Sequence, residues 1–171
     1  MKTAALFAIA ILLLCIVACS KQKTAKAELK DAQGNLVGTA TFTEVPDGVK
    51  ISLDASNLTP GQHGIHIHSV GKCEGPSFAT AGGHFNPDNK QHGSKNPQGM
   101  HAGDIPNITV GADGKVKTEL TVKNVNLGDG QNSLLRQGGT SLVIHAQPDD
   151  EMTEPSGNSG ARIACGVIQG Q

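Results

Sequence analysis

Among 171 residues there is no tryptophan, no tyrosine and only four phenylalanines, so the chain offers no aromatic platform for stacking bases or sugar rings. A formal net charge of −1, with no run of lysine and arginine, excludes an electrostatic surface for nucleic acid. Beyond the first residues no stretch shows the 3.6-residue periodicity of a long helix, and no segment repeats. Long apolar runs are also lacking, with one exception. Met1-Lys2-Thr3 leads into AALFAIAILLLCIVA, which is too short for a comfortable membrane span and is built like an export signal.

That run ends in IVACS, where small Ala18 directly precedes Cys19, an arrangement similar to the lipobox of bacterial lipoproteins. Residues 1–18 are expected to leave as a lipoprotein-type signal peptide and Cys19 to carry lipid at the new N-terminus; a plain signal peptide or an uncleaved anchor is the alternative. Leu14 before Cys15 is not small, which makes Cys15 the poorer candidate. Residues 19–26, with the polar SKQKTAK, then read as a lipidated N-terminus and tether, and 27–171 as one domain. The expected location is extracytoplasmic, with the lipid holding the protein to the outer face of the cytoplasmic membrane, or in the periplasm or at the outer membrane where the cell has one. Ser20 after Cys19 carries no sign of retention at an inner membrane.

Of four cysteines, Cys15 is expected to leave with the signal and Cys19 to take lipid, so Cys73 and Cys165 are left as a lone pair, which past the export machinery is most simply one disulfide. Its closed loop of roughly 90 residues would stabilise by ~4–5 kcal/mol in the chain-entropy account. The alternative is two unconnected buried thiols.

Alternation of apolar and polar residues marks strands. LVGTATFT sets Leu36, Gly38, Ala40 and Phe42 on one parity against Val37 and three threonines; VKISL and VKTELTV repeat the pattern. Pro46-Asp47-Gly48 fits a tight hairpin, and Asp113-Gly114 a turn before the third of these strands. SLVIH and RIACGVI are continuously apolar or β-branched, as strands covered on both faces are. An all-β sandwich or Greek-key barrel follows, with two segments rich in Gly, Pro, Asn and Asp, residues 71–103 and 147–161, as long functional loops.

Seven histidines stand at 63, 66, 68, 84, 92, 101 and 145. In GIHIH, His66 and His68 share one strand face while Ile65 and Ile67 take the other, and His63 has the opposite parity. His145 ends SLVIH, His84 sits in GGHFNP, and His92, His101 and Asp104 follow in QHGSKNPQGMHAGD. An all-histidine set suits copper, and three histidines with a carboxylate suit zinc. Ordinary hydrogen bonding within a loop is the competing account of His92, His101 and Asp104.

With GIHIH, GGHFNP, HAGD, VIHAQPDD and GNSGARIACGVI in this order over residues 27–169, the chain resembles the bacterial copper,zinc superoxide dismutases. The resemblance implies an eight-stranded antiparallel Greek-key barrel of immunoglobulin-like architecture. It implies copper on His66, His68, His84 and His145, and zinc on His84, His92, His101 and Asp104, with His84 bridging. It further implies that His63 is structural, that Asp149 orients one ligand of each metal, that Arg162 attracts superoxide, and that the cysteine pair anchors a loop near Arg162. The implied reaction converts two superoxide anions to dioxygen and hydrogen peroxide by copper redox cycling, with zinc structural and His84 moving a proton.

One departure from the animal enzymes stands out: the second loop is shorter and carries Asp149, Asp150, Glu151 and Glu154 with no lysine before Arg162. Such a rim would repel an anion unless Lys72, Lys90 and Lys95 offset it. Whether the chain is a monomer or a homodimer stays open. Two rivals remain, a non-catalytic copper- and zinc-binding or copper-delivery protein of the same fold, and a zinc hydrolase. The complete ligand set with Arg162 disfavours the first, and a zinc site closed by four protein ligands disfavours the second.

Overall fold

The structure is a computed structural model that describes residues 22–171, so the expected signal peptide and the expected lipid site at Cys19 lie outside the described residues. Nine strands are formed in chain order: β1 Thr24–Asp31, β2 Leu36–Val45, β3 Gly48–Ala55, β4 Gly61–His68, β5 Asp104–Val110, β6 Val116–Lys123, β7 Ser141–His145, β8 Arg162–Val167 and β9 Gln169–Gly170. The only helical segment among the described residues is a 3-10 turn, Ala79–Ala81. All pairings are antiparallel, in the order β5-β4-β7-β8-β1-β2-β3-β6, with the two-residue β9 beside β1. This is the expected eight-stranded barrel, nearly closed, with Greek-key crossovers from β3 to β4 and from β6 to β7, which are consecutive in the chain but not neighbours in the sheet.

The alternating patterns explain the barrel's filling. Ala40, Phe42, Ile51, Leu53, Ile65, Ile67, Leu142 and Ile144 all point inward and are essentially inaccessible. Full burial of each large member stabilises by roughly 1.5–3 kcal/mol. β7 is buried along its whole length because its outward face is covered too. There Val143 and Cys165 pack with Phe78 and Ala81, which lie in the loop between β4 and β5. Cys73 and Cys165 are joined as a disulfide, Cα to Cα 5.6 Å, which excludes the two-thiol alternative and fastens that loop to β8.

Two strand expectations need correction. β1 begins at Thr24, inside the expected tether and before the boundary at Ala27: Ala25, Ala27 and Leu29 are buried while Lys26, Glu28 and Lys30 face outward. Alanine and charged residues are poor strand formers, so only pairing with β2 reveals the element. In β2, Leu36 does not share the buried side with Ala40 and Phe42. The register slips opposite Leu29 and Lys30, a bulge that turns Val37 inward and leaves Leu36 56% exposed.

Candidate metal centre

β4 carries His66 and His68 outward from the barrel, β7 delivers His145 beside them, and the first residue of β5 is Asp104, paired with His66. The long loop from β4 to β5 folds back over this face. It lays His84 against His68 in a short bridge and brings in His92 and His101. The second long loop, between β7 and β8, closes from the other side with Asp149. Every residue expected as a ligand thus falls in one of two groups whose ligand atoms lie within 4.8 Å of one another: His66, His68, His84 and His145, and His84, His92, His101 and Asp104. His84 belongs to both.

Hydrogen bonding decides which nitrogens face inward. The Nε2–H of His66 donates to Asp149 Oδ2 at 2.7 Å, so its Nδ1 is a lone pair, buried and without a partner. His68 Nδ1 donates to the Gly82 carbonyl at 2.9 Å and His145 Nδ1 to the Gly160 carbonyl at 3.2 Å. Their Nε2 lone pairs therefore oppose each other at 3.4 Å, an arrangement that repels unless a cation sits between them. His84 Nε2 is likewise buried and unpartnered. In the first group, then, four lone pairs converge on one place.

In the second group His84, His92 and His101 place Nδ1 at 2.8, 3.1 and 3.1 Å from Asp104 Oδ1, and the His84 and His101 nitrogens are 3.4 Å apart. A tetrahedral ion about 2.0 Å from each donor requires edges of about 3.3 Å, so this set fits zinc with little adjustment. Asp104 Oδ2 is held by the backbone N–H groups of Gly93 and His101 at 2.8 and 2.9 Å. Asp149 spans the two groups, with Oδ2 on His66 and Oδ1 on His92 Nε2 at 3.0 Å.

Burial, the largest influence, pushes His68 down to about 2 and His84 and His145 down to about 4, and it lowers His66 as well. These rings are neutral donors at physiological pH. His92 goes the other way: burial opposes its charge, but its hydrogen bonds to the Asp104 and Asp149 carboxylates outweigh it and raise the ring to about 10. Burial likewise works against ionisation of Asp104 and Asp149, and their histidine partners overcome it, holding both below the usual carboxylate range.

Three features of the site escape a reading of the sequence. Asn107 forms a reciprocal pair with the backbone of Asp149, accepting its N–H at 2.7 Å and donating to its carbonyl at 2.8 Å. It reaches there because Pro106 and Asn107 together face the single Gly64, a bulge in β5 that frees Asn107 from the ladder. Arg162, paired with His145 across β7 and β8, donates to the carbonyls of Phe78 and Gly82, each at 2.6 Å. The Gly82 carbonyl consequently serves both Arg162 and His68. Gly82 has φ +76°, and a Cβ there would lie 2.9 Å from Ser69 Oγ and 3.0 Å from Val70 Cγ2, so no other residue fits comfortably. The third is the set of bonds by which the acidic second loop grips the first. His63, by contrast, sits beneath the site, each ring nitrogen 2.7 Å from a carbonyl oxygen, of His145 and of Thr59.

An antiparallel Greek-key barrel carrying two adjoining clusters with one shared imidazole defines a class of dinuclear metalloprotein. Residues 36–168 match the family model described as copper/zinc superoxide dismutase (SODC). The chain belongs to that family. It is 46% identical over 160 residues to "Superoxide dismutase [Cu-Zn] 2" of Aquifex aeolicus, covering 92% of this chain and 94% of the relative. Among solved structures it is similar to a superoxide dismutase-like protein from Bacillus subtilis, with TM-score 0.81, 43% identity and coverage of 83% of this chain and 96% of that one. It is also similar to the Cu/Zn superoxide dismutase from Brucella abortus, with TM-score 0.69 and 31% identity over 85% of this chain and 99% of that one.

Proposed function

We propose that the protein dismutes superoxide with copper held by His66 Nδ1, His68 Nε2, His84 Nε2 and His145 Nε2, and zinc by His84, His92 and His101 Nδ1 with Asp104 Oδ1. The observation that carries this reading is the convergence of four imidazole lone pairs, two of them orphaned and buried, next to a second set sharing His84. Bound copper supplies the valence change that takes an electron from one superoxide and gives it to a second, while zinc contributes fixed positive charge.

The chain's own residues do the rest. Arg162 is a permanent cation beside His68 and His145; with two donors fixed on Phe78 and Gly82, its remaining N–H groups meet an incoming anion in a set orientation. Asp149 keeps the His66 and His92 rings in the tautomer that turns Nδ1 inward. His84 has one ring nitrogen in each cluster, so it is the position at which the chain can hold a proton and hand it over. A delivery protein would have no use for the placement of Arg162, and a hydrolase would need an open position in the second cluster, where four ligand atoms already converge.

The test is dismutase activity of the mature domain as isolated, after copper and zinc reconstitution, and with zinc alone, alongside His84→Ala. Copper-dependent activity falling by ~100-fold or more in the variant is expected. Stoichiometric copper binding without activity at any loading would leave a metal-holding or copper-delivery protein. We also read Cys19 as the lipid-bearing residue and the protein as extracytoplasmic and membrane-anchored, which suits a substrate anion that crosses bilayers poorly. An intact mass of the membrane-extracted protein, compared with Cys19→Ser, checks that reading.

A further inference from the structure

The acidic residues of the second loop are each engaged in hydrogen bonds, although all but Asp149 reach solvent. Asp149 is buried. The Asp150 carboxylate is used up inside its own loop, accepting from the backbone N–H groups of Met152 and Thr153, the Thr153 hydroxyl and the Asn158 amide. Glu151 and Glu154 turn to the first loop instead. Glu151 accepts the Ser94 hydroxyl with its carboxylate and the Lys95 N–H with its carbonyl, the latter at 3.0 Å. Glu154 accepts the backbone N–H of His92. The two loops press together here: a Cβ on Gly93, whose φ is +95°, would stand 2.0 Å from the Glu151 carbonyl oxygen.

From this geometry we infer that Glu154 is a positioning residue for the zinc cluster, acting as the hydrogen-bond acceptor that fixes the backbone of His92 and not as a charge that shapes the approach of the substrate. The inference rests on the assignment of His92 to zinc. His92 has no strand beneath it, unlike His66, His68 and His145. Its ring is set by Asp149 and Asp104, and its main chain by Glu154 on one side and by Gly93 N–H, which donates to Asp104, on the other. Removing the acceptor leaves the His92 N–H unpaired in a part-buried place and lets the ring swing out of the Asp104 set.

Hydrogen bonding and charge are separated by two variants of the metal-loaded protein. Glu154→Gln keeps a carbonyl oxygen to accept the bond but loses the charge; Glu154→Ala loses both. Zinc affinity is read by competition with a chromophoric chelator, the ligand geometry by the visible spectrum of cobalt(II) placed in the zinc cluster, and steering by the ionic-strength dependence of kcat/KM. Zinc affinity about tenfold weaker and an altered cobalt spectrum in Glu154→Ala, with Glu154→Gln within threefold of the parent and spectrally unchanged, is the expected result. Two results overturn the inference: zinc affinity untouched in both variants while both gain kcat/KM at low salt, or equal loss in both, since charge would then be what matters. The parent protein in the same series guards the underlying assignment, because failure to hold zinc there would remove the zinc reading itself.

Discussion

On the four-histidine side, burial draws His68 down to about 2 and His84 and His145 down to about 4, and no carboxylate stands within the group. On the other side, one carboxylate oxygen lies within 3.1 Å of three ring nitrogens, and His92, gripped by Asp104 and Asp149, is raised to about 10. The residue type is the same, and what sets His92 apart is a carboxylate on each ring nitrogen, since His66 and His84, with one carboxylate each, are still lowered by burial. A soft redox ion meets neutral donors that need no proton displaced. An ion entering the second cluster displaces a proton from His92 and takes over a charge balance already prepared for it.

The sharpest way to break this contrast is Asp104→Ala. Zinc binding should weaken by about 3 kcal/mol or more, a factor of at least ~100, because the charges facing Asp104 lose their partner. One copper per chain should still bind, and metal analysis after dialysis at limiting metal checks both statements. Asp149→Ala touches His66 and His92 together. It should cost about tenfold to a hundredfold in zinc affinity and shift the copper electron paramagnetic resonance spectrum as well. Arg162→Ala should leave metal content unchanged while lowering kcat/KM by about tenfold, with most of the salt dependence lost. Asn107→Ala removes two bonds to the Asp149 backbone and should lower stability by about 1–3 kcal/mol, read by chemical denaturation of the loaded protein.

The gentlest probe is pH, applied after both metals have been stripped by chelation. His68, His84 and His145 titrate lower in the folded chain than their ordinary value of 6.5, so their contribution is full above that value and is lost as pH falls from 6.5 towards 4. His92 titrates higher, so its contribution is full below 6.5 and is lost as pH rises through about 10. Stability of the stripped protein should peak near neutrality and fall more steeply on the acid side, where four lowered imidazoles, His66 included, act against the one raised imidazole of the alkaline side. Denaturant midpoints across pH 4–10 check this, and bound metal should flatten both limbs.

GIHIH could be read as two imidazoles on one face because a strand has a period of two, and SLVIH as doubly buried because nothing polar interrupts it. The second cluster was open to a rival account from its residues alone, since loop histidines have no period. What stayed hidden depends on distances along the chain that no local pattern encodes. Asn107 meets Asp149 across 42 residues, and Glu154 meets His92 across 62. Arg162 meets Phe78 across 84. The Leu36 and Asn107 bulges were hidden for another reason, since alternation predicts a side for each residue and a slipped register reverses it. Acidic residues in the second loop look like surface charge in the sequence because several of their hydrogen-bond donors are backbone N–H groups, those of His92, Glu151, Met152 and Thr153, a group every residue but proline carries.

The bond between Cys73 and Cys165 closes a covalent ring with a sequence separation of 92. Inside that ring lie the second long loop, nearly all of the first, and His84, His92, His101, Asp104, His145, Asp149 and Arg162; of the metal-cluster residues, only His66 and His68 lie outside it. A protease that cuts either exposed loop once opens the ring without parting the molecule. The nicked chain stays a single covalent species until a reductant reaches the sulfurs, so a scission that would divide the site in another topology leaves all its parts tethered on the same barrel.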